Sequence, residues 1–171
     1  MEPTSDTQKP NQEDAKKHAI YAVDLAKKLA DGKRPGVLAT VDENGRPHLR
    51  WMATVSLQEY PLLYTITSPQ SRKIEQINKN PNVSWMFSND EMTVVVNISG
   101  KARIETDFAK INRVWKLLED KSKAYFLSIA TDGPGFAVIE TEVEEIECVA
   151  AKYDFRVLAQ GGDIHAAQES H

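Results

Sequence analysis

Between Ala15 and Ala30 the apolar positions recur three and four residues apart. Ala15, Ala19, Ile20, Val23, Ala26 and Ala30 form the stripe, Leu25 and Leu29 widen it, and Lys16, Lys17, Lys27 and Lys28 fall mostly on other faces. This is the period of an amphipathic helix, predicted over residues 14–31, with Asp31-Gly32 as its stop. The period then shortens. Residues 35–41 are a brief apolar run with β-branched members, and Asn44-Gly45 follows as a hairpin signal because both residues tolerate positive φ. The pattern predicts a return strand over 47–55 and a third strand over 60–67.

Ser68 as N-cap and Pro69 in the first helical position predict a helix over 69–78, burying Ile74 and Ile77 and ended by Asn80-Pro81. A fourth strand is expected at 83–87 and a long fifth at 92–104, where the internal Gly100 marks a bulge or a close approach. Thr106-Asp107 caps a helix whose stripe is Phe108, Ile111, Trp115 and Leu118. A short helix is expected at 125–129, then a final strand pair or one bent strand over 136–149. Its wet side carries Glu140, Glu142, Glu144, Glu145 and Glu147. Residues 1–13 and 161–171 read as flexible tails around a single domain at 14–160. The order of helices and strands indicates an α+β domain around an antiparallel sheet of about six strands, which hides its edges by closing or by packing on helices.

Composition narrows the function classes. The 171 residues are 41% hydrophobic and 27% charged, as in an ordinary globular domain. A net charge of −4 argues against a generic nucleic-acid binder. No apolar run approaches the roughly 18 residues of a membrane span, and the polar N-terminal stretch lacks a signal-peptide core. The one cysteine, Cys148, has no internal disulfide partner and reads as a small buried hydrophobe, so a cytoplasmic setting is expected.

Two stretches carry candidate chemistry. Thr67-Ser68-Pro69-Gln70-Ser71-Arg72-Lys73 brings hydroxyls and two cations to the first turns of a helix, a combination that suits a phosphate. Taken alone, Arg72 and Lys73 also fit a solvated surface. In the strand 47–55, alternation places His48, Arg50 and Met52 on one face and Leu49, Trp51 and Ala53 on the other. An arginine among apolar neighbours wants an anionic partner, or else it faces outward on a half-wet sheet. His48, in the second stretch, is a candidate proton donor, although a strand or surface role accounts for it more simply. His18, His48, His165, His171 and Cys148 show no metal-ligand spacing. Trp51, Trp85 and Trp115 read as core or interface.

With those residues in view, the chain resembles the FMN-binding split β-barrel proteins related to pyridoxamine 5′-phosphate oxidase, and within them the general stress protein group. The resemblance runs from about Lys33 to Thr106. It rests on Arg50-Trp51-Met52, on Ile66-Thr67 followed by Ser71-Arg72-Lys73, on Ile77-x-x-Asn80-Pro81-x-Val83-Ser84, and on Ile98-Ser99-Gly100-Lys101-Ala102. It implies a six-stranded antiparallel split β-barrel with flanking helices. In such a site Arg50 and Lys73, assisted by Arg72 and Ser71, would hold the FMN phosphate. The strand at Arg50, Trp51, Met52 and Ala53 would offer backbone groups to the isoalloxazine edge, and Ile66 and Thr67 would line the pocket. It also implies a homodimer whose flavin sites lie at the subunit interface.

Two departures bear on activity. The vitamin B6 oxidases of the family carry a C-terminal Arg-x-His segment, whereas this chain has Arg156-Val157-Leu158. The family glutamine that reaches the partner's flavin is replaced, by spacing, with Val95. The expectation is therefore an FMN-binding protein, a flavin-dependent oxidoreductase on an unknown small molecule and not a true pyridoxamine 5′-phosphate oxidase. The alternatives are a flavin-binding stress protein without turnover, or a split barrel that takes deazaflavin F420 or haem.

Overall fold

The computed structural model describes residues 12–55, 59–118, 135–150 and 155–164. Its main elements, in chain order, are α1 (Gln12–Leu29), β1 (Pro35–Val41), β2 (Pro47–Val55), β3 (Leu62–Thr67), α2 (Arg72–Lys79), β4 (Asn82–Ser88), β5 (Val95–Ile104), α3 (Phe108–Leu117), β6 (Ala137–Ala150) and β7 (Phe155–Gln160). The strands pair antiparallel in the order β3-β2-β1-β4-β5-β6-β7, and β3 pairs again with β6. That second pairing closes β1–β6 into a six-stranded barrel, and β7 extends the sheet beyond β6. The α+β split barrel expected from the sequence is the architecture observed.

The split lies between β2 and β3. Seven residues of β2, Pro47 to Ala53, pair with β1, but only Thr54 and Val55 pair with β3. The interior holds Leu38, Leu63, Ile77, Trp85, Phe87, Val96 and Ile98, and α1 packs into the same cluster through Ala19, Ala22, Val23, Ala26 and Leu29. Alanines at this spacing let a helix approach a sheet closely while burying apolar area, worth about 25 cal/mol per Å². A second cluster, Tyr64, Ile66, Val114 and Val138, lies where α3 covers the other face of β3 and β6.

Gly100 sits at a register shift, where Ser99 faces Glu145 but Gly100 faces Val143. A Cβ there would lie 2.0 Å from the Glu142 carbonyl oxygen, so only glycine fits. The shift leaves Glu144 as the extra residue of a bulge, and neither Glu144 nor Glu145 is buried.

Several local expectations change. Ser68 is not the cap of α2. Ser71 N–H donates to the Ser68 carbonyl at 3.1 Å, so 68–71 is a turn and Ser71 is the N-cap. Proline suits the second position of such a turn as well as a first helical turn. In the β1–β2 connection only Gly45 takes positive φ, at 76°. Asp42 Oδ1 accepts from the N–H groups of Asn44 and Arg46, each at 2.9 Å, and organises the loop. Asp107 caps α3 as expected, accepting from the N–H groups of Ala109 and Lys110. Phe108 is nevertheless 76% exposed, while Val114 is buried instead.

Residues 136–149 contribute one long strand, and β7 had no expectation of its own. Glu140 is buried under α3 rather than wet. Residues 161–164, read as the start of a tail, form a helical turn whose Ile164 joins the interior cluster. The helix expected at 125–129 and both chain ends, 1–11 and 165–171, fall outside the described residues. Among the described residues no helix is long and apolar enough to cross a membrane.

Candidate functional site

Arg50 and Lys73 approach one another from different elements. Arg50 lies on the same face of β2 as Met52, which packs against the interior cluster. From β2 its guanidinium crosses β1, donating to the Leu38 carbonyl at 3.2 Å and to Thr40 Oγ1 at 2.7 Å, and reaches α2, where it donates to Gln76 Oε1 at 3.2 Å. Thr40 Oγ1 in turn donates to Gln76 Oε1 at 2.6 Å. Lys73, in the first turn of α2, donates to Thr67 Oγ1 at 2.7 Å, and Thr67 lies 3.2 Å from Ser71 Oγ. Ser71 makes no side-chain capping bond, so its hydroxyl is not committed to the helix end.

The electrostatics of this cluster are one-sided. Burial, and then the charge of Arg72, holds Arg50 below its ordinary pKa; burial, and then Arg50, does the same for Lys73. Among the described residues none of Arg50, Arg72 and Lys73 forms an ion pair with a carboxylate. The carboxylates nearby are committed elsewhere. Glu43 and Glu75 both bind Lys79 at 2.8 Å, and Asp42 binds His48 Nε2 at 3.0 Å. The His48 bond and the Arg46 N–H take the Asp42 pKa down to about 2. Three cations gathered without an anion, two of them half-buried, are stable only at a cost that a bound anion removes.

The split in the barrel supplies the second part of the site. Thr65 Oγ1 donates to the Ala53 carbonyl at 2.6 Å, so Ala53 turns its backbone polar groups toward β3. Alternation turns those of Trp51 and Leu49 to the same side, where the described residues provide no strand partner. Unpaired strand groups beside an anion cradle suit a planar heterocycle with donors and acceptors along one edge.

Not every expected residue reaches this place. Arg50, Thr67, Ser71, Arg72 and Lys73 converge, and the backbone of Trp51 and Ala53 borders the split. Ile66 points the other way, into the cluster with Val114 and Val138 beneath α3. The Trp51 side chain is 69% exposed on the outer face of β2, with Leu49 at 67%. Met86 is exposed on that face too, since Val37 pairs with both Trp51 and Met86. Trp85 is core, with its indole N–H donating to Thr141. Val95 lies at the start of β5 between Ser88 and Val149. His48 lines a cleft of about 180 Å³ between the β1–β2 loop and α2, shared with Arg72 and Gln76. Cys148 is fully buried, which raises its thiol pKa. Among the described residues no His, Cys, Asp and Glu groups are placed to hold a metal.

Sequence reasoning missed Gln76 and Thr40. Both are neutral and unremarkable in sequence, and only the packing of α2 against β1 brings them to Arg50.

Comparison with known proteins places these residues in context. Residues 23–150 match the family model described as pyridoxamine 5′-phosphate oxidase. The chain is 30% identical over 144 residues to General stress protein 26 of Bacillus subtilis, covering 82% of this chain and 92% of that protein. The pyridoxine/pyridoxamine 5′-phosphate oxidases it matches are longer, and the chain spans 34% to 45% of them. Two solved structures share the fold at lower identity. One is an FMN-binding protein from Nostoc punctiforme related to the oxidase (TM-score 0.61, 17% identity, 86% of this chain and 89% of that one). The other is a haem-binding protein from Mycobacterium smegmatis (TM-score 0.66, 19% identity, 85% of this chain and 60% of that one).

Proposed function

The chain belongs to the pyridoxamine 5′-phosphate oxidase family, and from that premise we propose that it binds FMN and serves as a flavin-dependent oxidoreductase on a small molecule. The observation that carries this reading is the uncompensated cluster of Arg50, Arg72 and Lys73 beside the open edge of β2. A phosphate monoester supplies the missing negative charge, and the Ser71 hydroxyl is placed to donate to it. The backbone groups of Trp51 then lie where a ring system attached to that phosphate would extend. Bound there, the flavin would supply electron and hydride transfer. The residues of this chain hold the phosphate, orient the ring along β2 and screen it from water.

Haem would need an axial ligand in addition to the cationic cradle; from His48 it would have to be Nδ1, since Nε2 is paired with Asp42. A deazaflavin, which also carries a phosphate, satisfies the same cradle.

The reading includes a homodimer. Leu49, Trp51 and Met86 form an exposed apolar patch next to the split, and a second copy seated there would cover both the patch and the ring. The test is the visible spectrum of the purified protein together with its mass in solution. The two-banded spectrum of oxidised flavin on a dimer is expected. A Soret band, the single band of a deazaflavin, or a flavin-loaded monomer would overturn the corresponding part.

A further inference from the structure

Among the described residues Arg50 is held entirely by neutral acceptors: the Leu38 carbonyl, Thr40 Oγ1 and Gln76 Oε1. This is unusual for a half-buried guanidinium, which ordinarily pairs with a carboxylate. Gln76 is itself buried, at 8% exposure, and Thr40 is fully buried. The Gln76 oxygen accepts from both the Thr40 hydroxyl and the guanidinium, so the three side chains lock one another. Glutamate in place of Gln76 would offer the same oxygen with a full negative charge. It would anchor Arg50 more firmly and cancel the charge that the site presents.

We propose that Gln76, together with Thr40, is a positioning and specificity residue that fixes Arg50 by neutral hydrogen bonds and so keeps the cradle selective for a phosphate-bearing ligand. The proposal rests on the reading of the cradle as the FMN phosphate site. Arg50 has to be preorganised, because a free arginine would lose side-chain entropy on binding. It has to stay uncompensated, because an internal carboxylate would compete with the ligand. Neutral acceptors meet both conditions.

The experiment titrates FMN and riboflavin against the wild-type protein, Gln76→Glu and Thr40→Val, and records the melting temperature of each without ligand. Wild type is expected to prefer FMN. Gln76→Glu is expected to weaken FMN roughly tenfold or more while leaving riboflavin within about twofold, since only FMN carries the anion. Its ligand-free melting temperature is expected to hold or rise, because the new carboxylate relieves repulsion among Arg50, Arg72 and Lys73. A purely structural role for Gln76 would instead lower stability and both affinities together. Thr40→Val removes one acceptor without adding charge, and is expected to weaken FMN severalfold and riboflavin little; it carries the ratio test if Gln76→Glu does not fold. A wild type that binds both flavins equally would overturn the cradle reading itself. A wild type that discriminates, with variants that discriminate just as well, would overturn the role of Gln76 and Thr40 alone.

Discussion

Lys73 donates to Thr67 Oγ1 at 2.7 Å, bridging the end of β3 and the first turn of α2. The threonine hydroxyl passes the hydrogen bond on toward Ser71. The ammonium is thereby held in place by an oxygen that carries no charge, as Arg50 is by its own neutral acceptors. A cation arranged in this way keeps its attraction for an anion arriving from solvent.

This geometry makes flavin binding pH-dependent. Burial, and then Arg50, lowers the Lys73 pKa in the free protein. A bound phosphate dianion favours the charged ammonium and raises that pKa again. At alkaline pH the free protein has therefore released a proton that the FMN complex retains, so binding takes up a proton. FMN affinity should fall as pH rises through the lowered Lys73 value, while riboflavin affinity stays level. Calorimetry at alkaline pH in two buffers of different ionisation heat reads the uptake directly, and its absence for FMN would contradict the assignment of Lys73.

Glu140 should matter for stability rather than for binding. It is 3% exposed and accepts from Arg103 Nε at 2.8 Å, Lys110 Nζ at 2.9 Å and the Tyr64 hydroxyl at 3.0 Å. The network ties α3 to β3, β5 and β6. Glu140→Ala is expected to cost about 2 kcal/mol, below the ~3–5 kcal/mol of a fully buried pair because Arg103 is largely exposed. Urea unfolding of the two proteins checks the value, and flavin affinity should be unchanged.

Gly100→Ala places a methyl group against the Glu142 carbonyl across the β5–β6 ladder. The backbone must move to admit it, and a loss of about 3 kcal/mol or more is expected. Thermal or urea unfolding gives the answer. A neutral result would mean that the bulge can slide.

Pyridoxamine 5′-phosphate should not be turned over at an ordinary enzymatic rate, on the order of 1 per second or more. A second phosphate needs its own cationic clamp, and Arg50, Arg72 and Lys73 serve the first. Arg103 and Arg113 are bound to Glu140 and Glu59 at the α3 side of the barrel. Arg156 on β7 is paired with Glu147. Aerobic turnover by FMN-loaded protein, followed as pyridoxal 5′-phosphate, is the check; fast turnover would show that another basic residue supplies the clamp.

The strands and turns were legible because their signals are local, whereas their closure into a split barrel was implied by the family resemblance. The Asn44-Gly45 loop and the cap at Asp107 each act within a few residues, and the glycine at position 100 marks a close approach whose partner, the Glu142 carbonyl, lies on another strand. Arg50 was legible as a charge among apolar strand neighbours and Lys73 as a cation in the first turns of a helix, and the family resemblance gave both their role at a phosphate. Gln76 and Thr40 were not, since their role depends on a contact between residues 36 apart in sequence. Glu140 was misjudged for a similar reason. Its face of β6 is the outer one, as alternation indicated, but α3 covers that end of the strand and buries the carboxylate against Lys110. Ile66 and Thr67 were assigned to one pocket, yet successive strand residues face opposite ways.

The most direct test of the account is FMN and riboflavin affinity in Arg50→Ala, measured by quenching of flavin fluorescence. Losing one charge-assisted bond costs about 1.5–3 kcal/mol, which is roughly a tenfold to hundredfold weakening of FMN. Riboflavin lacks the phosphate and should bind the variant and the wild type alike. Equal losses for the two flavins would show that Arg50 does not hold the phosphate.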